Sequence, residues 1–456
     1  MHTYDVIVLG GGSAGTSAAA TAHRAGAEVA MFNKGELGGL CILMGCMPTK
    51  TMLHAAHLVH EAGHHETPGV GHTEPTIGFA EVMANKDAKV ARFKNAKLRG
   101  IEKAGYEVID AYARFQGEDT VVADNGESYR FTKGAVIATG SDPVIPPIAG
   151  IEEVPVWTSD DVLNLREIPE SVIVLGSGAI GLELALFLAR MGTKVIQASR
   201  SKILAKIDPI LNEEMERVIA DEPDLELVSP FRARSIAKDG DGVRFVVDTD
   251  DGERVMQAKY LVAATGRQAR LDDLGLEDAG VKFEGGRVEH DAAMRTTNPR
   301  IFVAGDATGS LQLLHVANWE GRAAGLGAAE VAGDHAVERR LDMSVIFTDP
   351  PLATIGMTEA AARAAGLPVA VAVEHFNGTG RAITMDVQHG VWKLVANAET
   401  GEILGSQILG PRADDIVHVL STAMYYRGTV HDLMKMPWYH PTLTEVLLSL
   451  ARTLAN

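Results

Sequence analysis

Two stretches of this 456-residue chain repeat one pattern. YDVIVLGGGSAGTSAAATAHRAGAEVAMFNK, from Tyr4, and SVIVLGSGAIGLELALFLARMGTKVIQASR, from Ser171, each run from a β-branched strand through a glycine turn into an Ala- or Leu-rich helix and back to a strand. Gly10, Gly12 and Gly15 in the first, and Gly176, Gly178 and Gly181 in the second, stand at G-x-G-x-x-G spacing. In that context the first glycine permits the tight turn and the second lets a pyrophosphate approach the backbone. The third lets helix and strand pack closely. The helix N-terminus that follows offers amides and partial positive charge to phosphates. Two complete units predict an α/β chain with two doubly wound sheets and two bound dinucleotides. Glycines that serve turns alone are the plainer reading, and the strand–turn–helix context at both sites weighs against it.

The end of the second strand is where a ribose is read. In the first unit Asn33 stands there in place of the usual acid; its amide can hydrogen-bond a ribose hydroxyl without charge. In the second unit Ala198 is followed by Ser199, Arg200, Ser201 and Lys202. No acid is present for a free 2′-hydroxyl, and cations are present for a 2′-phosphate, which favours NADP(H) over NAD(H). The alternative is that Arg200 is a solvated loop charge.

The chain has two cysteines, Cys41 and Cys46, in GGLCILMGCMPTK. Two thiols do not make a structural zinc site, which takes four ligands. Five residues of regular helix rise about 7.5 Å, whereas bridged Cα atoms lie within about 4.4–6.8 Å. The pair can bond only if that turn is distorted, and Gly45 allows distortion. A strained disulfide is readily reduced, so the spacing suggests a bond that opens and closes.

Composition narrows the rest. A hydrophobic fraction of 46% and a charged fraction of 22% describe an ordinary globular protein. A formal charge of −18 argues against a nucleic-acid partner. MHTYDVIVLGGG enters an apolar strand with no basic leader or cleavage site. The longest apolar stretch, from Val172, carries Glu183 and three glycines and reads as an α/β unit, not a membrane span. So few cysteines in so long a chain fit a reducing cytoplasm. His54, His57, His60, His64 and His65 crowd one helix at spacings near three and four, without a recognisable metal motif, and no metal is expected. The stretch around residues 63–76 reads as a loop between two helices.

With these motifs in order along the chain, the sequence resembles the class I pyridine nucleotide–disulfide oxidoreductases, which include dihydrolipoamide dehydrogenase, mercuric reductase and glutathione reductase. The redox loop spans Gly38 to Lys50. A-T-G follows at Ala138–Gly140, A-T-G-R at Ala264–Arg267, AGDATG at Ala304–Gly309 and HPTLTE at the C-terminal end. FTDPPLATIGMTEAAA, from Phe347, looks like the opening of the family's dimerisation domain. The resemblance implies two Rossmann-like nucleotide-binding domains plus a C-terminal α+β dimerisation domain. Its expected division is FAD domain 1–147 and 271–339, NAD(P) domain 148–270, and interface domain 340–456. FAD would be held by Gly10, Gly12, Gly15, Asn33, Lys50, Thr139, Gly140 and Asp306, the last on the ribityl chain. NAD(P) would be held by Gly176, Gly178, Gly181, Ser199, Arg200 and Gly266.

The resemblance also implies roles. Cys46 would be the thiol beside the flavin and Cys41 the interchange thiol that meets external substrate. Lys50 would lie near the reactive flavin nitrogen with Glu183 as its ion-pair partner. His440 would be the base and Glu445 the acid that orients it, acting on the disulfide of the opposite subunit of a homodimer. The expected substrate is a lipoyl-type dithiol or disulfide, free or on a carrier protein. Mercuric reductase-like reduction of a metal ion, diaphorase or transhydrogenase chemistry, and a flavin redox sensor without turnover are the rivals. Four departures bear on the substrate. Leu40 and Leu43 make the redox loop apolar, which raises thiol pKa. Asn33 replaces an acid, and PWYHP at Pro437–Pro441 lacks a second histidine. Trp438 and Tyr439 either narrow the entrance or pack at the subunit interface.

Overall fold

The computed structural model describes residues 1–65 and 67–455. Two compact units make up the chain. Met1–Thr51, Ala84–Val144 and Gly266–Val337 form the first; Met52–Met83, Ile145–Thr265 and Glu338–Asn456 form the second.

The first unit is built on a seven-stranded sheet. Its strands are β1 (His2–Leu9), β2 (Val29–Phe32), β3 (Glu107–Ile109), β4 (Ala113–Phe115), β5 (Thr120–Ala123) and β6 (Ser128–Ile137), with Ile301–Val303 beside β6. The order β3-β2-β1-β6 is parallel throughout, and β4 and β5 extend it antiparallel. Strand β1 ends in an unbroken apolar run because a parallel strand is covered on both faces. Ile7 and Leu9 enter one core with Phe32, Phe115 and Phe131, while Val6 and Val8 enter another with Ala14, Ala18 and Ala22. Those alanines lie on helix α1 (Ser13–Arg24), which packs on the helix Leu314–Ala328. The approach is close. A Cβ at Gly321 would stand 2.3 Å from Ala14 O, and one at Gly325 2.5 Å from Ala18 O.

Helices α2 (Leu40–Leu43) and α3 (Cys46–His64) carry the two cysteines, and α4 (Phe79–Ala104) comes next in the chain. The stretch between α3 and α4 has no helix or strand among its described residues, as its Gly, Pro and Thr content predicts; Glu66 lies outside them. No helix of the described residues is long and apolar enough to cross a membrane.

The second unit repeats the first motif. Ser171–Leu175 is central in a five-stranded parallel sheet, flanked by Lys194–Ala198 and Tyr260–Ala263, and the helix Ala179–Arg190 follows its glycine turn. The antiparallel strands Arg232–Asp239, Gly242–Thr249 and Gly252–Ala258 are appended to it. The C-terminal part is a five-stranded antiparallel sheet with helices Ala413–Tyr425 and Val446–Ala455 packed around Trp392, Leu420 and Leu447. This is the mixed α/β architecture that the sequence predicts.

A buried charge cluster pins the later turns of α3 within this unit. His57 Nδ1 lies 2.6 Å from Asp349 Oδ2, and Arg190 Nη1 donates to the same oxygen at 2.7 Å. Arg190 Nε donates to Glu222 Oε1 at 2.9 Å, and His60 Nδ1 stands 3.6 Å from Glu222 Oε2. The side chains of Arg190 and Glu222 are only 5% and 4% exposed, so each depends on the other. The Asp349 hydrogen bond is the largest influence on His57 and raises its pKa. Burial alone would raise Asp349, yet the His57 hydrogen bond and the Arg190 charge hold it well below the usual carboxylate range.

Both signs set the pH dependence. A raised histidine stabilises fully below its unfolded value of about 6.5 and loses the contribution as pH climbs through the folded value. A depressed aspartate contributes above about pH 3.9 and loses it as pH falls. The thermal-stability deficit of His57→Ala is therefore expected to be largest between about pH 4 and 6.5 and to shrink above that. Glu222→Gln, which strands a buried guanidinium, is expected to cost about 3 kcal/mol in urea unfolding near neutral pH.

Candidate functional site

The two glycine turns meet the same steric test. A Cβ at Gly10 would stand 2.2 Å from Ala138 O, and one at Gly15 1.8 Å from Gly10 O. The second turn repeats this at Gly176 against Ala264 O, 2.3 Å, and at Gly181 against Gly176 O, 2.2 Å. At Gly12 and Gly178 a Cβ would meet nothing within 4 Å. The outer glycines are thus fixed by protein packing, while each middle one leaves open space at a helix N-terminus. Phosphates fit there.

Around the first turn, the Asn33 amide is held by backbone. Gly11 N donates to Oδ1 at 3.1 Å and Nδ2 donates to Gly35 O at 3.0 Å. Thr139 Oγ1 donates to Arg270 O at 2.6 Å. Asp306 Oδ2 accepts from Ser141 Oγ at 2.6 Å, and Arg267 Nε donates to that same hydroxyl at 2.9 Å. Ser141 belongs to no motif read from the sequence, although it directly follows the A-T-G segment.

Around the second turn, Ser199 is buried and accepts from Ser177 Oγ at 2.7 Å. Gln197 Nε2 donates to Gly176 O at 3.1 Å, tying the strand to the turn. Arg200 and Lys202 are exposed. Gly266, at φ +125°, closes the A-T-G-R segment with open space around it.

The cysteine loop is bent as the spacing requires. Cys41 lies in α2, Cys46 opens α3, and Met44 and Gly45 break the helix between them. Gly39 sits at φ +75° with its Cβ position 2.8 Å from Gly12 Cα, so only glycine lets the loop reach the fingerprint turn. Cys41 and Cys46 are both thiols in this structure, and they hydrogen-bond to each other. That bond is the main reason the Cys41 pKa is pushed far up; burial adds to it, and the Lys50 charge opposes it. Cys46, as the first residue of a 19-residue helix, receives the partial positive charge of its N-terminus. The two thiols therefore differ in surroundings: Cys41 is pushed toward its protonated form, and Cys46 sits at the start of a helix.

Lys50 follows Cys46 by one helical turn in the first unit. Glu183 is buried in the second unit, where Oε1 accepts from Phe347 N at 2.9 Å. His440 Nδ1 lies 3.1 Å from both Glu445 oxygens, and Thr442 N donates to Glu445 Oε2 at 2.8 Å. That backbone bond is the main cause of a depressed Glu445 pKa, with burial opposing and His440 assisting. Thr442 and Glu445 form a capping box, so the T-x-x-E of HPTLTE has a local structural cause. The His440 side chain is 74% exposed, with Nδ1 engaged by Glu445. Trp438 Nε1 donates to Leu433 O at 2.9 Å and packs on the C-terminal core, whereas Tyr439 is 83% exposed. Among the described residues no group of three or more His, Cys, Asp or Glu is placed to hold a metal ion.

The contrast between the two kinds of glycine is testable. Gly178→Ala is expected to leave the melting temperature unchanged and to weaken nucleotide binding by about tenfold or more, read by calorimetry. Gly181→Ala, whose methyl strikes a carbonyl, is expected to destabilise by about 1–3 kcal/mol.

Comparison with known proteins agrees with this geometry. Residues 4–321 match the pyridine nucleotide-disulphide oxidoreductase family, and residues 343–451 match the dimerisation domain of the same family. A mercuric reductase of Staphylococcus aureus is 33% identical over 99% of this chain and 82% of that protein. A dihydrolipoyl dehydrogenase of Geobacillus stearothermophilus is 34% identical over 98% of this chain and 95% of its own length. Among solved structures, the HOCl-induced flavoprotein disulfide reductase RclA from Escherichia coli superposes with a TM-score of 0.84 at 26% identity, covering 98% of this chain and 99% of that one. The chain is a member of the pyridine nucleotide–disulphide oxidoreductase family, flavoproteins that also use a pyridine nucleotide.

Proposed function

We propose that this oxidoreductase works as a cytoplasmic homodimer that exchanges two electrons between NADP(H) and an external dithiol or disulfide of lipoyl type, through Cys41 and Cys46. The His440–Glu445 pair carries the reading. An imidazole fixed at Nδ1 by a carboxylate presents one tautomer and one free nitrogen, which suits proton transfer to and from thiols near neutral pH. A redox sensor without turnover has no use for it.

A bound FAD would supply the two-electron carrier between nicotinamide and disulfide. The residues supply the rest. Gly10, Gly12, Gly15, Thr139, Gly140 and Asn33 would hold the cofactor's phosphate and ribose end, and Asp306, which accepts from Ser141, would hold the ribityl chain. Lys50 places a cation beside Cys46, and Glu183 is the carboxylate proposed to keep it charged. Cys41 attacks or is attacked by the external sulfur, while His440 of the partner subunit takes and returns the proton. Gly176, Gly178, Gly181 and Gly266 would contribute to holding the nicotinamide nucleotide. Arg200 is exposed and makes no ion pair among the described residues, which suits a 2′-phosphate.

The likeness to mercuric reductases, at 33% identity, favours a second reading in which the dithiol holds a soft metal ion for reduction. One assay set separates these. NADPH oxidation is expected with lipoamide, and its absence, alongside turnover with Hg(II) or Cu(II), would replace the first reading with the second. Cys41→Ser should abolish disulfide turnover and spare electron transfer to a quinone. His440→Gln should lower disulfide turnover by about 10²–10⁴. Arg200→Ala should raise the KM for NADPH by about tenfold and leave that for NADH unchanged.

A further inference from the structure

Arg267 ends the A-T-G-R segment, half-buried and without an ion pair among the described residues. Asp142, on the facing strand, is held by Arg270 instead. The Arg267 guanidinium is spent on one residue: Nε donates to Ser141 Oγ at 2.9 Å and Nη2 to Ser141 O at 2.8 Å. Strand register explains the reach. Ser141–Pro143 and Arg267–Ala269 pair antiparallel with Ala269 opposite Ser141. Arg267, two residues back on the same face, meets Ser141 on the diagonal.

A serine hydroxyl has one hydrogen to give. Ser141 accepts from Arg267 and sends that hydrogen to Asp306 Oδ2, 2.6 Å away, because a carboxylate oxygen only accepts. Ser141 is 6% exposed, so water does not compete for its hydroxyl. The chain therefore runs one way, from guanidinium to hydroxyl to carboxylate. The backbone before Asp306 is fixed separately. Gly305 N donates to Glu320 Oε2 at 2.7 Å, and Glu320 is fully buried. Gly305 stands at φ +70° with its Cβ position 2.8 Å from Ala14 Cβ on α1. Turn and side chain are thus held by different residues, all within the first unit. Asp306 Oδ1 has no hydrogen-bond partner among the described residues. A carboxylate with one oxygen locked and the other open is prepared for a ligand, since a binding group works best when its rotamer is already fixed.

We propose that Arg267 is a positioning residue for the flavin: through Ser141 it fixes the Asp306 carboxylate in the orientation that holds the ribityl hydroxyls. The proposal rests on the assignment of Asp306 to that chain. It extends the A-T-G-R segment from a turn at one nucleotide to a support for the other cofactor. The plainer reading is a strand tie, in which the guanidinium joins two strands and Asp306 is incidental.

The test follows FAD release from purified holoenzyme, with the freed flavin separated by ultrafiltration after dilution. Asp306→Asn, Ser141→Ala and Arg267→Met are each expected to speed release by about tenfold. The double variant Ser141→Ala/Arg267→Met is expected to match either single one, because the guanidinium acts only through the hydroxyl. Arg267→Lys keeps the charge and loses the fork, and is expected to stay near Arg267→Met. Effects that multiply to about a hundredfold in the double variant overturn the proposal. Unchanged release from Arg267→Met with a lowered melting temperature also overturns it and leaves the strand tie. Full recovery in Arg267→Lys overturns it in favour of charge alone. Where a variant purifies without FAD, titration with FAD gives the same comparison as a dissociation constant. If Arg267→Met does not fold, Arg267→Gln takes its place. Unchanged release from Asp306→Asn removes the ribityl assignment, and this proposal with it. No arm needs a disulfide substrate. A non-additive Ser141–Arg267 pair in a protein that turns over no disulfide supports this proposal while the lipoyl reading fails.

Discussion

Cys46 is the first residue of α3, and the chemistry of the loop follows from that placement. A helix start carries partial positive charge, which favours the thiolate form of a sulfur placed there. Cys41, in the separate short helix before it, receives no such help and is left as the protonated partner. The break at Met44 and Gly45 lets the two sulfurs meet although five residues separate them. Three turns further on, the same helix meets Asp349 through His57 and Glu222 through His60. One helix thus carries Cys46 at its start and the His57 and His60 contacts further along.

The site also shows how little space dictates much sequence. Four of the six fingerprint glycines are required by carbonyl oxygens that an added Cβ would overlap, and two stand in open space. The first class defends the fold and the second defends room for a ligand. Sequence spacing shows the six as equivalent, whereas their surroundings distinguish them. HPTLTE likewise has two causes in one motif. Thr442 and Glu445 cap a helical turn, and the same carboxylate orients His440.

Features written in short-range pattern are legible in the sequence itself: the two strand–turn–helix units, the bent cysteine loop and the loop after α3. Each depends on residues a few positions apart, and such contacts leave a periodic or spaced trace. Contacts between distant positions leave none. Ser141 meets Asp306, Lys97 meets Thr16, and Arg190 meets both Glu222 and Asp349. None of these pairs has a local signature. The histidine-rich helix illustrates the same limit. Spacing places several imidazoles on one face, but only tertiary packing shows that His57 and His60 face carboxylates and a guanidinium. Asn33 stands where a ribose-binding acid is usual, and its amide is engaged at both ends by backbone, which spacing alone does not reveal.

The Ser177–Ser199 bond has an evolutionary consequence. Both hydroxyls are buried, at 5% and 6% exposure, and each satisfies the other. An acid placed at 199 would meet Ser177 first. A change at either position alone leaves a buried hydroxyl without its partner, at about 1–3 kcal/mol. Residue identity at 177 and 199 is therefore an epistatic trait of two positions, one inside the glycine fingerprint and one at the end of a strand. A lineage that switches it must cross a less stable intermediate or change both codons together.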